Sequence, residues 1–234
     1  MEWDEIKRGM VVFAHPDDAE FGTAGTVARW SRERKEVFYV VVTDGSKGSS
    51  DPEMTAEKLV ATRRREQCEA ARVLGVTDVS FLGFPDGMLQ PTLDVRRAIT
   101  ACIRRYRPDV VIAQSPSRDL TMGLFVQHPD HLAAGEATLA AVYPCARDRM
   151  TFPELLEQGL EPYAVREVWV VGTSAPDYYV DISDTIEIKV KALQAHASQV
   201  GPDVDKFVPE RARQLGEQQG MGYAEAFKRI ELPH

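Results

Sequence analysis

Hydrophobic positions along the chain fall in short continuous runs, separated by longer stretches with helical spacing. Met10-Val11-Val12-Phe13-Ala14 is apolar and rich in β-branched residues, as expected of a strand buried on both faces. Similar runs lie at 36–43, 79–82, 109–114, 167–172 and 178–182. Between them, residues 22–34, 55–74, 92–106, 129–142 and 183–198 read as helices, with Gly75 as a C-cap signal. Strands alternating with helices predict an α/β fold: a Rossmann-like three-layer sandwich around a mostly parallel sheet. At 234 residues the chain is read as one domain spanning 1–234. The weakly patterned segment 144–165 reads either as an excursion over a site or as a surface connection.

This pattern is shared with nucleotide-binding proteins, but their fingerprint is missing. The first strand runs into His15-Pro16-Asp17-Asp18 rather than a glycine-rich turn, and no P-loop follows. Composition narrows the function further. The net charge of −8 argues against a nucleic-acid partner, and Arg63-Arg64-Arg65 sits within a helical pattern rather than a basic tail. No window approaches the roughly 18 apolar residues of a membrane span. The acidic N-terminus lacks a signal-peptide pattern, so a cytoplasmic location is expected. Three widely spaced cysteines form no Cys-x-x-Cys pair. Cys68 and Cys102 fall in apolar helical patterns and are read as buried free thiols, in keeping with a reducing compartment. Oligomeric state is not legible, although a homo-oligomer is compatible with the sequence.

Candidate chemistry concentrates in two clusters. His15, Asp17 and Asp18 follow the first strand, at the sheet edge where open α/β folds bind ligands. His128-Pro129-Asp130-His131 opens a later helix, with proline at a favourable first-turn position. Residues 128 and 131 are three apart, so one helical turn brings both imidazoles to one side. Three of the five histidines therefore gather in two strand-end clusters. A catalytic zinc site takes three N/O ligands and keeps one open position. His15, one of Asp17 or Asp18, and one of His128 or His131 would supply it. The carboxylate and imidazole left over could move protons, a set of parts suited to amide hydrolysis. Fe2+ or Co2+ could occupy the same ligands.

Both clusters resemble the signature motifs of the PIG-L/LmbE-like zinc-dependent deacetylases. The similarity extends to Arg63-Arg64-Arg65-Glu66, to Phe84-Pro85-Asp86-Gly87, and to His196-Ala197-Ser198-Gln199. It implies His15, Asp18 and His131 as zinc ligands, and Asp17 as the general base acting on the zinc-activated water. It implies His128, kept protonated with Asp130 as its orienting partner, as the group that stabilises the tetrahedral intermediate and protonates the leaving amine. Arg63 and Asp86 are implied as substrate-binding residues, Asp86 through sugar hydroxyls. The substrate implied is an N-acetylglucosamine-type sugar or glycoside, released as acetate and a free amine. In one respect the chain departs from the family pattern: Val126 stands where some members carry a tyrosine two residues before the second motif.

Other readings predict different behaviour. A metal amidase for a thiol conjugate or another N-acyl compound would share the site and differ in the loops 45–55, 115–127 and 144–165. A non-catalytic metal- or sugar-binding domain would not need Asp17 and His128. A two-metal phosphoesterase would want a third ligand cluster, which the sequence lacks. Asp44 reads as a turn residue and His196 as a packing or capping residue.

Overall fold

A computed structural model describes residues 1–120 and 126–233. Seven strands form one sheet: β1 (Arg8–Phe13), β2 (Glu36–Thr43), β3 (Asp78–Phe84), β4 (Val110–Gln114), β5 (Glu167–Val171), β6 (Tyr178–Asp181) and β7 (Ala224–Glu231). Their order is β3-β2-β1-β4-β5-β7-β6. The first five run parallel, β7 runs antiparallel to β5, and β6 antiparallel to β7. The chain reverses its direction of travel across the sheet between β1 and β4, the switch point at which such sheets bind ligands.

Helices cover both faces, as the continuous apolar strands require. On one face α1 (Asp18–Arg32), α2 (Ala56–Leu74), α6 (Ile186–Gln194) and α7 (Val204–Glu217) pack against Val11, Phe13, Tyr39 and Trp169. On the other, α3 (Leu93–Tyr106) and α4 (Pro129–Ala140) pack against Met10, Val12, Val40 and Val111. A four-residue helix, α5 (Glu154–Glu157), lies in the connection to β5. Among the described residues, no helix is long and apolar enough to cross a membrane.

Local chemistry accounts for the helix ends. The Thr55 and Thr92 side chains accept from the amides of Lys58 and Val95 at the starts of α2 and α3, caps worth about 1 kcal/mol each. Gly75 closes α2 in the left-handed conformation. Gly135 lets α4 lie directly on the end of β4, where a Cβ would stand 2.4 Å from the Gln114 carbonyl oxygen. That close approach sets the position of the helix start carrying His128 and His131.

Several expectations are corrected. Helix α1 begins at Asp18, not at residue 22, so the first motif is wound into its start. Cys68 is exposed, whereas Cys102 and Cys145 are buried; all three are free thiols. The elements α7 and β7 were absent from the sequence reading. Pro209 interrupts the pattern of the former. Charged residues disguise the latter, where Glu225 is neutralised by Lys189 at 2.6 Å and Arg229 by Glu167 at 2.7 Å. Segment 144–165 is a surface connection. The buried Arg104 guanidinium, close to the end of α3 and hence at the amino ends of the strands, donates to the carbonyls of Ala146, Cys145, Asp148, Thr151 and Leu160. That is the edge opposite the histidine clusters.

Candidate metal and hydrolase site

The two clusters meet at the carboxyl ends of β1 and β4. Gln114, the last residue of β4, joins them: its Oε1 accepts from the Ala14 amide at 3.0 Å, and its Nε2 donates to Asp18 Oδ2 at 3.2 Å. The Asp18 carboxylate also accepts from the His15 amide at 2.8 Å. Asp17 makes no side-chain cap bond to α1, so helix capping does not account for this Asp-Asp pair.

Three donor groups form a triangle. His15 Nδ1 stands 3.2 Å from His131 Nε2 and 3.2 Å from Asp18 Oδ2, and His131 Nε2 stands 3.1 Å from Asp18 Oδ1. Tetrahedral ligands with bonds of about 2.05 Å would be separated by about 3.3 Å. Two imidazole lone pairs and a carboxylate facing one another repel unless a proton or a cation lies between them. The field is that of a cation site. Burial alone would lower the His15 pKa, yet hydrogen bonds to Asp18 and Asp86 push it up to about 10. Burial works the other way on Asp18, but His131 and His15 hold its carboxyl well below the usual range. These donors fit a metal ion of the zinc class by type, number and spacing.

Two other groupings share His15: its donor atoms lie within 4.8 Å of those of His128 and His131, and likewise of those of Asp86 and Asp130. Asp86 and Asp130 are otherwise engaged. Asp130 accepts from the Gly87 and Leu89 amides at 2.7 and 3.2 Å, and Asp86 from the Lys47 amide at 2.9 Å. Their remaining capacity meets His15 Nε2, at 3.1 Å from Asp86 Oδ1 and 3.2 Å from Asp130 Oδ2. This is how a metal-ligating histidine is usually oriented from behind.

The Asp130 carboxylate orients His15 rather than His128; only its backbone amide reaches His128, donating to Nδ1 at 3.2 Å. That bond leaves the neutral His128 ring with its proton on Nε2. Burial, then the neighbouring His15, lower the His128 pKa, while the Asp130 and Asp86 charges pull it back up. Asp86 is 4% exposed, with Oδ2 accepting from the Lys47 amide and Oδ1 facing His15 Nε2. Its pKa falls to about 2 because hydrogen bonds from His15 and the Lys47 amide outweigh burial.

Arg63 is buried as well. It donates to the carbonyls of Pro16, Gly45 and Lys47 and lies 3.4 Å from Asp17 Oδ2. Its two terminal nitrogens hold the loop carbonyls and steady Asp17, while Nε is buried with no partner among the described residues. Burial, then the adjacent Asp18 charge, push the Asp17 pKa up to about 7, against the opposing pull of Arg63 and His196. Asp17 also has φ of 96°, a strained backbone for a residue other than glycine. Asp44 Oδ1 accepts from the Ser46 amide and from the Asp86 amide of the loop after β3. Val126 is exposed, and loop 115–127 lies partly outside the described residues. Sequence reasoning missed Gln114, Gln67 and Glu20. Glu20 stands within the first motif, but a buried acid two residues past the ligands has no sequence mark of its own.

Comparison with known proteins places the chain among deacetylase relatives. The PIG-L family pattern, described as GlcNAc-PI de-N-acetylase, matches residues 10–142. Diacetylchitobiose deacetylase of Thermococcus kodakarensis is 32% identical over 230 residues, covering 97% of this chain and 84% of that protein. A probable N-acetyl-alpha-D-glucosaminyl L-malate deacetylase 2 of Bacillus anthracis is 30% identical over 206 residues, covering 86% and 85%. The solved structure of N,N'-diacetylchitobiose deacetylase from Pyrococcus horikoshii with its inhibitor superposes with a TM-score of 0.90 at 32% identity, covering 98% of this chain and 85% of that one.

Proposed function

Because the chain belongs to the PIG-L family, we propose that it is a zinc-dependent hydrolase that removes the acetyl group from an N-acetylglucosamine-type sugar or glycoside. The observation that carries this reading is the His15–Asp18–His131 donor triangle with a carboxylate, Asp17, beside it. Relatives named as deacetylases of diacetylchitobiose and of an N-acetylglucosaminyl malate support the substrate class.

His15, Asp18 and His131 would hold the ion, with Asp86 and Asp130 fixing the ring of His15. When bound, zinc supplies Lewis acidity toward the amide carbonyl and makes water a better nucleophile near neutral pH. Asp17 takes the proton of the attacking water. A carboxylate raised toward neutrality is a stronger base than an ordinary one, and still ionised often enough to act. His128 offers Nε2–H to the carbonyl oxygen as charge develops there. Such preorganised donors are worth roughly 3–4 kcal/mol. The proton held by Asp17 then passes to the departing amine, so one carboxyl serves as base and then as acid. The products are acetate and a free amine.

The test is release of primary amine from N-acetylglucosamine, diacetylchitobiose and simple N-acetylglucosaminides by zinc-loaded and by chelated protein. Metal-dependent release is the expected result. No release from any of these by protein with one zinc bound would overturn the substrate class and move the search to thiol conjugates and other N-acyl compounds.

A further inference from the structure

Asp17 is held in its strained conformation from behind as well as from the site. Its backbone amide donates to Gln67 Oε1 at 3.1 Å. On the other end of the same side-chain amide, Gln67 Nε2 donates to Glu20 Oε1 at 2.9 Å. Glu20 Oε2 in turn faces His196 Nε2 at 3.1 Å. Gln67, Glu20 and His196 are all 0% exposed. They come from three separate segments: α2, the first turn of α1, and the stretch after α6.

We propose that Gln67, Glu20 and His196 form a buried positioning relay that fixes the backbone of Asp17, and through it the direction of the Asp17 carboxylate. The logic lies in the donor and acceptor inventory. A glutamine amide can present either end, and nothing in Gln67 alone says which one faces Asp17. The Asp17 backbone N–H can only donate, so the Gln67 oxygen must face it, and the Gln67 nitrogen is left to donate to Glu20 Oε1. His196 Nε2 faces the second Glu20 oxygen and fixes the orientation of that carboxylate. The other ring nitrogen, Nδ1, is buried with no hydrogen-bond partner among the described residues, so Glu20 is the ring's polar anchor. These three fully buried residues stand outside the donor triangle. Their effect is transmitted through the Asp17 amide, at the point where the chain adopts φ of 96°. The relay gives the His196 motif a role that packing alone does not require.

The inference rests on Asp17 acting as the base. The experiment measures turnover of diacetylchitobiose by zinc-loaded Gln67→Met, with wild type and Asp17→Asn alongside and bound zinc counted in each. Gln67→Met should keep its zinc and lose at least about tenfold in kcat with KM changed less than about threefold, the pattern of a displaced catalytic group. Glu20→Gln, whose oxygen can still accept from Gln67, should recover most of what Glu20→Met loses. Wild-type kcat in Gln67→Met beside an inactive Asp17→Asn would overturn the relay and leave the proposed function standing. An active Asp17→Asn would overturn the base assignment itself. A crystal structure of Gln67→Met reads the relay without turnover: Asp17 should leave the positive-φ region, and an unmoved Asp17 would contradict the proposal.

Discussion

Four carboxylates crowd one small volume, and their neighbours set their duties. Asp18 faces two imidazoles, Asp86 and Asp130 face the outer nitrogen of His15, and Asp17 alone lies beside the donor triangle without joining it. Asp17→Asn removes the base while keeping the volume and the adjacent ligands. It should keep its zinc and lose about 10²–10⁴ in kcat; near-wild-type turnover would contradict the assignment. His131→Ala removes a vertex of the triangle, so metal content after dialysis should fall first and activity with it. At this scale the sequence was informative about residue types and less so about contacts. Both histidine clusters could be found by eye. That Asp130 turns toward His15 and not toward its neighbour His128 depends on the Gly87 and Leu89 amides, which arrive from a loop some forty residues away in the chain.

Elements carry these groups into register. Apolar runs bounded by polar loops made β1, β2, β4 and β5 legible, because burial on both faces leaves a continuous hydrophobic signature; edge strand β3 has no buried residue and showed only the short run at 79–82. Strand β7 was not legible, since its charges are neutralised by residues distant in sequence, Lys189 and Glu167. Helix α4 reaches its place through Gly135, which touches the backbone of Gln114 and Pro116. Gly135→Ala puts a Cβ into that backbone and should push the start of α4 away from β4. A loss of at least about 1–3 kcal/mol in stability is expected from such overpacking, together with weaker zinc binding, because His128 and His131 ride on that helix. Denaturant unfolding paired with zinc titration would check both effects; an unchanged zinc affinity would show that α4 accommodates the methyl without moving.

At the scale of the molecule, the buried His196–Glu20 pair ties α1 to the segment after α6 and makes stability depend on pH. Burial lowers the His196 pKa, but the Glu20 hydrogen bond and charge more than compensate and leave it raised. A raised folded-state value means that the charged pair contributes fully below the unfolded histidine pKa of about 6.5. The contribution is lost as pH rises through the higher folded value. Tm should therefore decline over that window, and decline less in His196→Gln, as scanning calorimetry at a series of pH values would show. Equal slopes in the two proteins would mean that the pair does not titrate in this range.

Topology as a whole was readable as a layered α/β sheet, and the first motif lies at the switch point between β1 and β4 that the strand order reveals. What holds that point in shape was hidden, because Gln67, Gln114 and Glu20 acquire meaning only when distant segments meet. The most direct measurement is anomalous diffraction at the zinc edge from crystals grown with one equivalent of zinc. A single peak bonded to His15 Nδ1, Asp18 and His131 Nε2, with Asp17 beside it and unbonded, is the predicted result. A peak held by His15 Nε2 with Asp86 and Asp130, or one that takes Asp17 as a ligand, would contradict the assignment of both metal site and base.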